Sequence, residues 1–368
     1  MLEERRNGPH IIIINDRGMS RGVTRYARDL YSAIGKGAIF VNLRYSTMPS
    51  LNSPGVEFLS SLYKVATGTK FDNILLAFDS VFFPLTLSNA RKYIKRLMSE
   101  GFRVHYSSQM IVPIAGNSNN IVTIHDLVSY NGMDDSRGLM HIYLKQLVKY
   151  YSQFEHIVVD SNIIREGLLS MGVESDPVVL YPCASNSFRH LHDKAAAREK
   201  LNLPTNKTLV LSMGATSRRK NLGVLPEVMR RLGSNHQLVR IGDPIGNSIF
   251  FKEVSEETLN TIYNACDVLI HPTLEEGFGY AELEAFAVGL PTVVSDIPIM
   301  REICQNASIF CDPRSPDDFV LGVLNALKYR DELVSKGFAR ADIFSFKRFQ
   351  DRVRSYYNSI LSSARDGL

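Results

Sequence analysis

Short apolar runs alternate with longer amphipathic ones twice along this chain, once on each side of a polar stretch at residues 183–198, and this double alternation most restricts the fold. Ile11 to Ile14 is apolar at every position and stops at Asn15-Asp16-Arg17-Gly18. That is the pattern of a parallel strand buried on both faces, delivering a loop at its carboxyl end. Behind it, Val23, Tyr26, Ala27, Leu30 and Tyr31 recur at spacings of three and four and mark one face of a helix. The first series continues through strands at 73–78, 104–107, 121–125, 156–160 and 178–181, with helices at 89–98, 139–150 and 163–170. The second runs through strands at 209–213, 237–241, 268–271 and 291–295, with helices at 195–201, 222–232, 256–265, 280–288 and 346–361. Such alternation implies parallel sheets, so the expected class is α/β with two Rossmann-like, doubly wound halves.

The length, 368 residues, suits two domains better than one core. Lys and Arg exceed Asp and Glu only by 42 to 38, which gives no bulk-charge argument for a nucleic-acid partner. The four cysteines form no CxxC pair or metal-ligand spacing, and the start lacks a signal-peptide pattern, so a cytoplasmic protein with reduced thiols is expected. Arg91, Lys92, Lys95 and Arg96 share one helical face, and Tyr93, Ile94, Leu97 and Met98 the other. This fits an ordinary domain helix burying its apolar side, and it also fits peripheral contact with a membrane surface.

The most specific stretch is Glu275 to Pro298. Gly277 and Gly279 interrupt any helix and let backbone approach a ligand, while Ala281 to Val288 is a good helix former. Amides near Phe278, Gly279 and Tyr280 thus open a helix, a place that favours anions. Glu276 lies on the loop and Glu284 about two turns into the helix, placed to reach different parts of one extended ligand, such as a sugar and a ribose diol. Two solvated glutamates would share the same spacing.

Gly214-Ala215-Thr216-Ser217-Arg218-Arg219-Lys220-Asn221 lies between a strand and a helix. Cations at a helix start oppose its dipole, and a bound diphosphate would relieve that conflict, so Arg219 and Lys220 are candidate diphosphate ligands. A solvated basic turn is the alternative. Pro226 falls inside the expected helix, where it would remove a hydrogen bond. His125 ends a strand and should emerge at the carboxyl edge of the sheet, where α/β proteins bind ligands. A histidine satisfied by local hydrogen bonds would occupy the same position. Gly18 and Gly22 flank Met19-Ser20-Arg21 in a loop that is either a plain turn or, at Gly22, a close approach of backbone to a ligand.

Glu276-Gly277-Phe278-Gly279, then Glu284-Ala285, then Gly289 to Ser295 resemble the signature of glycosyltransferase family 4, retaining enzymes of the GT-B fold. The basic run resembles a form found in part of that family, and the loop at Gly22 and the His125-Asp126 pair are also similar. The resemblance implies that Glu276 lies by the donor sugar, that Phe278, Gly279 and Tyr280 offer amides to the distal phosphate, and that Glu284 binds ribose hydroxyls. It also implies that Arg219 and Lys220 neutralise the leaving diphosphate, that His125 lies near the sugar, and that backbone near Val254 touches the base. Val254 has a purely structural alternative.

The final helix resembles the segment that crosses back in this fold. Residues 1–185 with 346–368 are thus expected on the acceptor side of an interdomain cleft, and 186–345 on the nucleotide-sugar side. The expected activity is transfer of a hexosyl unit, mannosyl or glucosyl, from a nucleoside diphosphate sugar to a glycan or lipid-linked acceptor, with no metal or other cofactor. The competing readings are a non-catalytic sugar-nucleotide-binding scaffold and a GT-B epimerase.

Overall fold

The computed structural model describes residues 11–16, 21–35, 38–44, 56–60, 95–96, 98–108, 120–131, 151 and 154–362. Among them two sheets form, both parallel. The first has strand order β3-β2-β1-β4-β5-β6-β7: β1 Ile11–Asp16, β2 Ala38–Arg44, β3 Val56–Ser60, β4 Arg103–Tyr106, β5 Ile121–Ile124, β6 His156–Val159 and β7 Val178–Val179. The second has order β10-β9-β8-β11-β12-β13: β8 Thr208–Met213, β9 His236–Ile241, β10 Ile249–Phe251, β11 Val268–His271, β12 Thr292–Ser295 and β13 Ser308–Cys311. Each order reverses direction once, between β1 and β4 and between β8 and β11. Crevices at such switch points, beyond the carboxyl ends of the strands, are where doubly wound sheets receive ligands.

Ile11 to Ile14 are all fully buried, as a strand covered on both faces requires. Each contributes roughly 1.5–3 kcal/mol relative to an exposed position. Helix α1, Arg21–Ile34, buries Tyr26, Ala27, Leu30 and Ala33 against one side of this sheet. The same cluster takes in Phe349, Val353, Tyr356, Tyr357 and Ile360 from the last helix, so the chain's end packs beside its beginning. Between these lie α2 Asn162–Ser170, α3 Lys194–Lys200, α4 Leu225–Leu232, α5 Glu256–Ala265, α6 Tyr280–Val288, α7 Pro298–Cys304, α8 Pro316–Lys328, α9 Arg330–Ile343 and that last helix, α10 Phe346–Ser362.

Four strands escaped the sequence reading, β2, β3, β10 and β13. The expected strand at 73–78, the helix at 139–150, the Gly18 loop and most of the cationic helix at 89–98 lie outside the described residues; Lys95, Arg96 and Met98 are helical. The helix expected over 222–232 is corrected. Residues Arg218–Lys220 form a 3-10 turn closed by Asn221 in the left-handed region, a second turn spans Leu222–Val224, and α4 begins only at Leu225. Pro226 therefore sits in the first turn, where its missing N–H costs nothing. No described helix is long and apolar enough to cross a membrane.

Candidate active site

The switch point of the second sheet gathers the basic turn after β8 and the acidic loop after β11. Arg219 Nη1 lies 3.1 Å from Glu276 Oε2, and Lys220 Nζ lies 2.5 Å from the same oxygen. The Arg219 carbonyl accepts from the Leu274 amide at 2.7 Å and from Thr273 Oγ1 at 3.0 Å, which clamps the two loops together. Burial alone would raise the Glu276 pKa, but Lys220 and Arg219 outweigh it and pull it from 4.5 to about 2. The carboxylate stays ionised at neutral pH, and the cluster keeps two strong cations against it.

These cations do not oppose the dipole of α4, which starts five residues after Lys220. The helix start that faces them is α6, whose N-cap is Gly279 at φ 121°. A side chain there would be strained, and its Cβ would come within 3.0 Å of Glu282 Oε2. The first amides of α6 have no intrahelical partner and point along the positive end of its dipole. Phe278 and Tyr280 differ in use. The Phe278 ring is core, 3% exposed among Tyr181, Tyr280 and Phe344, so only its backbone is available to a ligand.

Gly277 corrects the expectation that both glycines serve ligand approach. A Cβ at Gly277 would stand 2.4 Å from the His125 carbonyl oxygen and 2.9 Å from Asp126 Cβ. What Gly277 admits is the loop following β5, so the two sheets' loops meet at this residue. Asp126 there is close enough to feel both Arg219 and Glu276, although burial, the larger effect, raises its pKa.

His125 is 7% exposed, and both ring nitrogens are engaged, Nδ1 with Asp160 Oδ2 at 2.7 Å and Nε2 with the Ser107 carbonyl at 2.6 Å. Burial lowers its pKa, but Asp160 and the Ser107 carbonyl prevail and hold it above the ordinary value. Two acceptors on one ring favour the doubly protonated imidazolium. His125 thus adopts the locally satisfied geometry, and it reaches the Glu276 loop through its carbonyl.

Glu284 is the fifth residue of α6, so it lies in the second turn rather than two turns in. Its Oε1 meets Arg25 Nη1 at 2.6 Å and its Oε2 accepts from Tyr263 Oη at 2.8 Å. Arg25 also donates to the Cys183 carbonyl at 2.9 Å and lies 4.9 Å over the Tyr280 ring. Gly22 is one turn before Arg25, in the first turn of α1. Val254 precedes α5, partly buried against the core of the second sheet. Neither is brought to the Arg219, Lys220 and Glu276 cluster by any contact described.

Three side chains at this site were not singled out in the sequence. Arg25 carries only a signal of position, on the helix after the first glycine loop. His271 ends β11 at a switch point, which the carboxyl-edge rule could have found. Glu282, three residues after the N-cap, occupies the position of a capping-box glutamate, and it is fully buried.

Two doubly wound sheets, with the loop of one seated on the acidic loop of the other beside clustered cations, define a GT-B protein. Residues 193–336 match the family model for glycosyl transferases group 1. Among curated relatives, the O-antigen chain mannosyltransferase RfbU of Salmonella typhimurium is 22% identical over 234 residues, 58% of this chain and 63% of that protein. An uncharacterized glycosyltransferase of Methanocaldococcus jannaschii is 24% identical over 57% of this chain and 60% of its own length. The matches therefore span less than two thirds of these relatives. Among solved structures, sucrose-phosphate synthase from Thermosynechococcus elongatus superposes with a TM-score of 0.73 at 18% identity, covering 96% of this chain and 99% of that one. HepE from Anabaena, in complex with UDP and glucose, gives 0.70 at 12% identity over 95% and 99%.

Proposed function

We propose that the protein is a retaining glycosyltransferase that moves a hexosyl unit from a nucleoside diphosphate sugar to a glycan or lipid-linked acceptor. The observation that carries this reading is the single carboxylate of Glu276, held ionised between Arg219 and Lys220 at the start of α6. Cleavage of the bond from the sugar's anomeric carbon to phosphate leaves charge on the departing diphosphate. Arg219, Lys220 and the amides of Phe278, Gly279 and Tyr280 are arranged to receive that charge without a metal, by preorganised hydrogen bonds and charge. Glu276 supports the positive character of the sugar, and Glu284 takes the ribose diol. The acceptor hydroxyl attacks the same face, its oxygen bonds the anomeric carbon, and its proton passes to the leaving phosphate oxygen. His125 holds the β5 loop against Gly277, Gly22 opens the helix that carries Arg25, and backbone near Val254 borders the base.

The relative named as a mannosyltransferase favours a mannosyl unit, and the HepE complex with UDP and glucose supports a nucleotide-sugar donor with a glucosyl unit as the other choice. The acceptor side is assigned to residues 1–185 with 346–368 and the donor side to 186–345. The test is thermal shift and slow hydrolysis across a panel of UDP and GDP sugars, with Glu276→Ala and Lys220→Ala beside wild type. One donor should stabilise the protein selectively, and both variants should lose its hydrolysis. Stabilisation with hydrolysis unaffected by either variant would overturn the catalytic assignment, and no response to any donor would favour a scaffold.

A further inference from the structure

β11 ends in a histidine that is fastened from behind. His271 is 2% exposed, and its Nδ1 lies 2.5 Å from Oε1 of Glu282, which is 0% exposed. Its Nε2 lies 3.3 Å from Lys220 Nζ, which also reaches Glu276 at 2.5 Å. Four side chains from β11, α6 and the two loops thus stand in line, Glu282, His271, Lys220 and Glu276, and the line folds back so that His271 Nε2 is also 3.8 Å from Glu276 Oε2.

The chemistry of the atoms fixes how protons sit along that line. An ammonium has donors only, so Lys220 can meet Nε2 only where that nitrogen keeps its lone pair. An imidazolium there would set donor against donor and cation against cation. A buried carboxylate accepting at Nδ1 draws the ring's one proton to that side and leaves Nε2 as an acceptor. Of the three Lys220 donors, one then goes to His271 and one to Glu276, and the third is left for a phosphate oxygen.

We propose that His271 and Glu282 are positioning residues that hold Lys220 ready for the donor's diphosphate, His271 as acceptor and Glu282 as the group that sets its tautomer. The proposal rests on the glycosyl-transfer reading only for the identity of the ligand. The placement of Lys220 is a property of the free protein. Ordering a long, rotamer-rich side chain before the ligand arrives removes a cost that binding would otherwise bear.

The experiment labels the full chain, without ligand, by trace reductive methylation and reads each lysine by mass spectrometry. Lys220 should react several-fold more slowly than exposed Lys252. His271→Leu should raise its reactivity about fivefold, and His271→Gln, whose amide oxygen replaces Nε2, should return it to within about twofold of wild type. Should the leucine variant fail to fold, Glu282→Met removes the tautomer anchor at similar volume and should shift Lys220 in the same direction. In parallel, calorimetric titration with UDP and with GDP should show the leucine variant weakened about tenfold for the nucleotide that wild type binds, with the glutamine variant close to wild type. Lys220 equally reactive in wild type and variants, or as reactive with glutamine as with leucine, would overturn the proposal even if nucleotide binds. The labelling pattern without binding of either nucleotide would support the positioning and remove the donor reading.

Discussion

Arg25 and Glu284 are 259 residues apart in the chain and 2.6 Å apart in space, joining the first helix after β1 to the helix that follows the acidic loop. Their side chains are only 15% and 9% exposed. Burial raises the Glu284 pKa and Arg25 only partly offsets it, so the carboxylate depends on this partner for its charge. Arg25→Ala should therefore cost about 3–5 kcal/mol of stability, the usual penalty for stranding a buried charge. Removing both, in Arg25→Ala with Glu284→Ala, should cost less than Arg25→Ala alone, read by urea unfolding midpoints in a double-mutant cycle. A double-variant loss equal to the sum of the two single-variant losses would show that the pair is not coupled.

Gly277 predicts a different kind of failure. Its added methyl would meet backbone, the His125 carbonyl oxygen at 2.4 Å, so the neighbour cannot rotate away. Gly277→Ala should push the acidic loop off the β5 loop at a cost of roughly 1–3 kcal/mol, the range for overpacked sites. Donor hydrolysis should fall by about a hundredfold, since small displacements of reacting groups carry penalties of that size. Far-UV circular dichroism should be unchanged, and hydrolysis at the wild-type rate would contradict the contact.

How much of this was legible in the sequence follows from the range of each interaction. Helices α5 and α6 appear with the bounds their apolar spacing and flanking turns prescribe, because those signals are local. Arg219, Lys220 and Glu276 were found as separate motifs, and the structure brings them to one oxygen. Arg25 was missed because it acts through Glu284, 259 residues away, which no spacing rule records. β10 was missed because a strand of three residues leaves little periodicity to read. The extra turns at 218–224 arise from Asn221 at positive φ, a choice that a run of basic residues does not announce.

Glu276 also predicts the acid limb of stability. Its folded-state pKa is about 2 against an ordinary 4.5. Because the folded value is depressed, its contribution is complete above the unfolded value and is lost as pH falls from 4.5 towards about 2. At about 1.36 kcal/mol per unit this amounts to roughly 3 kcal/mol. Glu276→Gln should lower stability at neutral pH by that order, leaving Arg219 and Lys220 uncompensated, and the loss relative to wild type should shrink as pH falls through that window. Denaturant titrations at a series of pH values measure both, and a difference that is constant with pH would count against the ion pairs.

The cysteines give a prediction independent of any ligand. Cys183, Cys266, Cys304 and Cys311 are all free and buried. Burial pushes the Cys311 thiol up to about 12 and raises the other three further. Since the thiolate is the reactive form, none of the four should react with a disulfide reagent within minutes at about pH 8, and all should react once the chain is unfolded in guanidinium. Cys183 is the informative one. Its Sγ lies 3.6 Å from Asp29 Oδ2, and its carbonyl accepts from Arg25, so it sits under the Arg25 to Glu284 contact. Arg25→Ala should expose this thiol first, and mass spectrometry of the modified protein identifies which cysteine carries the label. Uniform labelling of all four in that variant would mean global unfolding rather than local opening at the contact.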